Sequence, residues 1–121
     1  MKISLTTEYG IHALIYLAGR SKDEYTLLDD IASVYPFSRS YLQKVCQTLA
    51  RKGVLIAHRG VKGGYILARD PKKLTLREII EILEDTSGLY RCLAYKRQCD
   101  LRDGCAIMQV FHDIESTVYN A

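Results

Sequence analysis

The 121-residue sequence predicts a mainly α-helical chain with one small β-hairpin. Three observations predict it. Apolar residues recur at helical spacing in several stretches, as in Leu42, Val45, Cys46 and Leu49 and again in Leu76, Ile79, Ile80 and Leu83. Two short apolar runs, 54–58 and 65–68, flank the glycine-rich turn Arg59-Gly60-Val61-Lys62-Gly63-Gly64, which is the pattern of a hairpin. Just before that hairpin, two short helical segments meet at a brief turn around Pro36, and the second keeps a cationic outer face. Together these features outline a winged helix-turn-helix followed by a C-terminal dimerisation helix.

Taken in order, Thr6 or Thr7 is a plausible cap for a first helix reaching Gly19, with Ile11, Leu14, Ile15, Leu17 and Ala18 on its buried face. Glu8 lies in the first turn, where a carboxylate suits the helix dipole, and His12 is expected at the surface or boundary. Thr26-Leu27-Leu28-Asp29 resembles a capping box for a second helix ending before Pro36. Ser38 caps a third helix over 39–52, stopped by Gly53. Its inner stripe includes Cys46, expected as a packed core thiol, while Arg39, Ser40, Gln43, Lys44, Gln47 and Arg51 stay outside. Beyond the hairpin, Thr75 caps a fourth helix, and Ile107, Val110, Phe111, Ile114 and Val118 stripe a last one. That stripe needs a partner, which predicts a two-fold homodimer. The expected organisation is a winged helix-turn-helix over 1–85 with its wing at 54–68, a cysteine segment over 86–105 and a dimerisation helix over 106–121, all in one compact domain.

Charge points to a polyanion partner. Through Thr75 twelve Lys and Arg face six Asp and Glu, giving +6, whereas the remainder carries −3. From Arg39 to Lys73 nine basic residues meet one acidic residue, Asp70, so the cationic surface belongs to the helix-turn-helix and wing. The wing turn lacks either glycine-rich nucleotide motif, and its Arg59 and Lys62 suit phosphate or the minor groove instead. No apolar run approaches membrane-spanning length. The opening Met-Lys-Ile-Ser-Leu-Thr-Thr-Glu has no apolar signal core, which predicts a reducing, cytoplasmic setting for the cysteines.

Cys92, Cys99 and Cys105 fall within fourteen residues at gaps too long for one helical turn. Such a segment suits a loop that wraps thiolates around one centre, with Asp103-Gly104 expected to start a helix whose dipole favours the Cys105 thiolate. Zinc knuckles use tighter C-x2-C spacing, and a disulfide suits an oxidising compartment, so three clustered thiolates fit an iron-sulfur cluster best, with one ligand to find. Zinc or thiol-disulfide switching stays open from spacing alone. A small iron-sulfur electron-transfer protein is the rival from another class, and it would have no use for a basic helix and wing.

The stretch Leu5-Thr6-Thr7-Glu8-Tyr9-Gly10, the helix start Ser38-Arg39-Ser40-Tyr41-Leu42, the Arg59-to-Tyr65 wing and the three late cysteines resemble the IscR/NsrR/RirA family of winged-helix regulators. The similarity spans essentially the whole chain. It implies a dimeric, non-enzymatic transcription factor, most simply a repressor, that reads palindromic double-stranded DNA through Ser38, Arg39, Ser40, Tyr41, Gln43, Lys44, Arg59 and Lys62. It also implies that a 2Fe-2S or 4Fe-4S cluster on Cys92, Cys99 and Cys105 controls DNA affinity in response to iron-sulfur status, redox change or nitric oxide. IscR-like members place a histidine three residues after the last cysteine, where this chain has Met108. His112 lies nearly two helical turns past Cys105, about 10 Å along the axis, too far for a compact site. NsrR-like members use an acidic residue of the partner's first helix, which makes Glu8 the leading fourth ligand ahead of Asp100 and Asp103. Family members commonly continue beyond the point where this chain ends, so the resemblance implies a longer last helix.

Overall fold

The structure, a computed structural model, describes residues 3–84 and 106–120. Within them lie five helices and one two-stranded antiparallel sheet: α1 (Leu5–Ala18), α2 (Leu28–Val34), α3 (Arg39–Arg51), β1 (Leu55–His58), β2 (Gly64–Leu67), α4 (Leu76–Leu83) and α5 (Ala106–Tyr119). The winged-helix class expected from the sequence is the one found.

Helix α3 lies at the centre of the core. Its inner stripe of Leu42, Val45, Cys46 and Leu49 is buried against α1, α2, α4 and β1. Ile31, Leu42, Leu49 and Val54 are among the largest fully enclosed side chains, and burial of each such aliphatic side chain is worth about 1.5–3 kcal/mol. The end of α3 follows from Gly53, whose φ of 79° closes a Schellman turn. In that turn Gly53 N donates to Ala50 O and Val54 N to Leu49 O, and the buried Val54 then leads into the wing. Helices α1 and α4 approach closely at Gly10, where an added Cβ would lie 2.2 Å from Leu83 Cδ1. At the start of α4 Thr75 caps the helix as expected, and Glu78 completes a reciprocal capping box with it.

Two helix starts differ from the expectation. Ser4, not Thr6 or Thr7, caps α1, its Oγ accepting from Thr7 N. The two threonine hydroxyls bond elsewhere, Thr6 with Tyr41 and Thr7 with Glu84. Thr26 likewise caps nothing. It is buried and bridges Tyr65 through paired backbone hydrogen bonds of 2.8 Å, extending the sheet by one residue, while Leu27 precedes α2 without a side-chain cap. The wing pairs Leu55 with Leu67 through to His58 with Gly64. Gly64 adopts φ 141°, and a Cβ there would stand 2.1 Å from Thr26 O, so the bridge requires glycine.

Candidate nucleic-acid interface and the cysteine segment

Ser38 caps α3 as expected, its Oγ accepting from Tyr41 N, and its backbone N–H donates to Tyr9 Oη at 3.0 Å. The backbone atom that opens the helix is thus held by α1. Arg39, Ser40, Gln43 and Lys44 are exposed on the first turns, continued by Gln47 and Arg51. Ser40 Oγ lies 3.2 Å from Ser38 Oγ. Arg39 donates through Nε to the Asp29 carboxylate on α2. Tyr41 is placed differently from its neighbours: half-buried, it sets its ring edge-on to Tyr9 at 4.9 Å and shares a 2.5 Å hydrogen bond with Thr6. Its first duty is to hold α3 against α1.

The turn between α2 and α3 is aromatic. Phe37 stacks on Tyr9 at 4.0 Å, and Tyr35 and half-buried His12 complete the group. These contacts fix the angle at which α3 leaves the turn. The wing exposes Arg59 and Lys62 on either side of Gly60 and Val61, and Val61 is 99% exposed. Gly60 takes φ 120°, and Gly63 N donates to Gly60 O at 2.9 Å, which closes the tip. The helix face and the wing therefore present exposed cations and amides to which an anionic surface could dock, with Arg39 already paired to Asp29.

Cys92, Cys99 and Cys105, and with them Asp100 and Asp103, lie outside the described residues. Cys46 is enclosed in the core, and burial pushes its thiol up to about 12, so it stays protonated and inert. Glu8 is exposed on the first turn of α1, and His112 is exposed on α5. Among the described residues no three His, Cys, Asp or Glu side chains gather into a metal-binding group. What immediately precedes the cysteine segment is well defined. Glu84, at the C-terminal end of α4, accepts through Oε1 from Thr7 Oγ1 at 2.6 Å and from Ser4 N at 2.9 Å. Partial burial pushes this carboxyl up, but the hydrogen bonds from Thr7 and Ser4 outweigh it and the net shift is downward. The N-terminal end of α1 thereby holds Glu84, just ahead of the cysteine segment, through Ser4 and Thr7, and holds α3 through Thr6 and Tyr9. Glu84 did not stand out in the sequence, and Asp29, expected in a capping box with Thr26, instead pairs with Arg39; partners 77 or 10 residues away leave no local signal.

The sequence matches the Rrf2 family, described as iron-dependent transcriptional regulators, over residues 3–121. The chain belongs to the Rrf2 family. It is therefore a transcription regulator, not an enzyme. Relatives in this family include the regulator NsrR of Bacillus licheniformis, 32% identical over 113 residues that make up 93% of this chain and 79% of that protein. Among solved structures, IscR of T. potens superposes with a TM-score of 0.72 at 27% identity, covering 99% of this chain and 81% of that one. CymR of B. subtilis, described as a global cysteine regulator, superposes with a TM-score of 0.70 at 26% identity over 97% of this chain and 91% of that one. No helix among the described residues is long and apolar enough to cross a membrane.

Proposed function

We propose that this Rrf2 regulator is a cytoplasmic, homodimeric DNA-binding repressor whose affinity for a palindromic operator follows the state of an iron-sulfur cluster. The observation that supports the DNA reading is the exposed cationic and amide face of α3, capped at Ser38 and set beside a wing bearing Arg59 and Lys62. Two copies of α3 would enter successive major grooves about 34 Å apart, or a multiple of it, with the wings on backbone or minor groove. Ser38, Ser40, Gln43 and Lys44 are the readers of this scheme, Arg59 and Lys62 supply phosphate contacts, and Tyr41 acts by bracing the helix. The apolar residues Ile107, Val110 and Ile114, all exposed on α5, support pairing with a second copy.

The cluster proposal rests on the donor set. Three soft thiolates, Cys92, Cys99 and Cys105, suit iron, and the exposed Glu8 carboxylate of the partner subunit is the proposed fourth ligand. When bound, a 2Fe-2S or 4Fe-4S group would supply iron open to redox change and to nitric oxide. The chain's own contribution is mechanical: Glu84 ties the entrance of the cysteine segment to Ser4 and Thr7, and Thr6 and Tyr9 tie the same turn to α3. A second reading, in which the same cysteines act as a thiol-disulfide or zinc switch, stays open from their spacing. Iron and sulfide counts with an absorbance spectrum on anaerobically purified protein separate the two, since only the cluster form is coloured.

The DNA reading is tested by fluorescence anisotropy at fixed salt, with the triple variant Lys44→Ala, Arg59→Ala, Lys62→Ala against the unaltered chain. Loss of affinity with a shallower salt slope, by about 0.9 per phosphate contact removed, is expected. Unchanged binding rejects these residues as the interface.

A further inference from the structure

Arg39 is the first residue of α3, where a reading helix meets base edges, yet its side chain is already engaged. Asp29, in the first turn of α2, accepts from Arg39 Nε through Oδ1, although the two side chains are 67% and 58% exposed. The bond uses Nε alone. Among the described residues Nη1 and Nη2 meet no further acceptor, so the end-on fork of the guanidinium points away from Asp29 unoccupied.

A fork held in this way fits one chemistry better than others. Guanine presents O6 and N7 on its major-groove edge at the spacing of two guanidinium N–H groups, and both are neutral acceptors. A phosphate would bring a second anion up to the Asp29 carboxylate, which opposes the contact. Holding Nε also removes rotamer freedom from a long side chain before DNA arrives, which favours a contact that needs fixed geometry. An exposed ion pair of this kind adds little to stability, so its placement asks for another explanation.

Resting on the DNA-binding function proposed above, we infer that Arg39 reads a guanine in each half-site and that Asp29 is the positioning residue that selects this base over a phosphate. Asp29 acts through Arg39 and also disfavours non-specific binding, because a carboxylate beside the reading head repels the DNA backbone.

The test uses the full chain, purified without air, and a random duplex library from which the preferred sequence is selected. Anisotropy then compares duplexes changed one base pair at a time. Arg39→Ala should lower the preference for guanine at one position per half-site on the order of tenfold, the range of a lost bidentate contact. Asp29→Ala should erode the preference at that same position severalfold while random-sequence affinity rises. Asp29→Asn, which keeps an acceptor oxygen, should retain most of the preference, and the double Ala variant should be no worse than Arg39→Ala alone. Helix content by circular dichroism should match the unaltered chain in every case, the pair being exposed. The inference is overturned if Asp29→Ala leaves the base profile intact, or if Arg39→Ala weakens all sequences alike, the mark of a phosphate contact. An unaltered chain that enriches no sequence would overturn sequence-specific DNA binding itself, whereas an enriched motif indifferent to Arg39 overturns only the inference.

Discussion

Replacing Glu84 tests the joint between the cysteine segment and α1. Its Oε1 receives the Thr7 hydroxyl at 2.6 Å and the Ser4 N–H at 2.9 Å, and Thr7 is fully buried. Hydrogen bonds to a charged acceptor contribute about 1.5–3 kcal/mol each. Here two donors share one oxygen, and the Thr7 hydroxyl can turn to Ser4 Oγ, 3.4 Å away, so Glu84→Ala should cost about 2 kcal/mol in all. Glu84→Gln keeps an oxygen without charge and should cost about half as much, roughly 1 kcal/mol. The pH dependence has a definite sign. Because the folded carboxyl titrates below its ordinary value of 4.5, its stabilisation is present above that value and is lost as pH falls through the lower folded one. The gap between the unaltered chain and Glu84→Gln should therefore be full at about pH 7 and shrink in acid. Urea unfolding followed by circular dichroism at several pH values measures both effects. An alanine variant within about 0.5 kcal/mol of the unaltered chain, or a glutamine gap that ignores pH, would refute the reasoning.

Replacing any one of Cys92, Cys99 or Cys105 by Ala should abolish visible absorbance of the anaerobic protein while far-ultraviolet circular dichroism stays helical. Cys46→Ala should keep the colour, and a bleached but folded Cys46 variant would reassign the ligands. Glu8→Ala should shorten cluster lifetime under anaerobic chelator challenge. In a forced heterodimer, one chain carrying Glu8→Ala and its partner carrying Ala at all three late cysteines, one site as long-lived as in the unaltered dimer is expected if ligation crosses between subunits, and only labile sites if it does not. Gly64→Ala puts a Cβ 2.1 Å from Thr26 O at φ 141° and should cost about 3 kcal/mol in urea unfolding. A loss below about 1 kcal/mol would show that the Thr26 bridge can open cheaply.

The elements that local chemistry dictates were legible in the sequence. Ser38 before α3, Gly53 after it, the Thr75 cap and the stripe through Cys46 each state a helix end or face within a few residues. Thr6, Thr7 and Thr26 misled for one reason. A hydroxyl residue ahead of an apolar run looks like a cap, but each of these is claimed by a distant partner, Tyr41, Glu84 and Tyr65 respectively. The cationic outer face of α3 and the wing were legible because charge placement is additive along the chain. Tyr41 was not, since only the packing of α1 across α3 shows that its hydroxyl is spent on Thr6. Glu84 stayed hidden, and Asp29 was read as a capping-box acid for α2, because a carboxylate on a helix shows no distant partner until the fold locates it.

If the cysteine segment controls DNA affinity as proposed above, the geometry around α3 bounds how strongly it can act. Behind Arg39 to Arg51 the inner face is closed by fully buried Leu42, Cys46 and Leu49, so deforming α3 would disrupt close packing and a shift as a body is the less costly motion. The polar contacts that steer such a shift from α1 are the Tyr9 bond to Ser38 N and the Thr6 bond to Tyr41. At about 1 kcal/mol each, they would supply in the proposed dimer a coupling of roughly 2 kcal/mol per subunit, or about thirtyfold in affinity. Two subunits bound to one operator would combine these factors, which suffices for a switch without any rearrangement of the core. Release of Glu84 from Ser4 and Thr7 would loosen the turn of α1 that holds both bonds, and under the proposed mechanism a change at the cysteines would reach α3 by that short route.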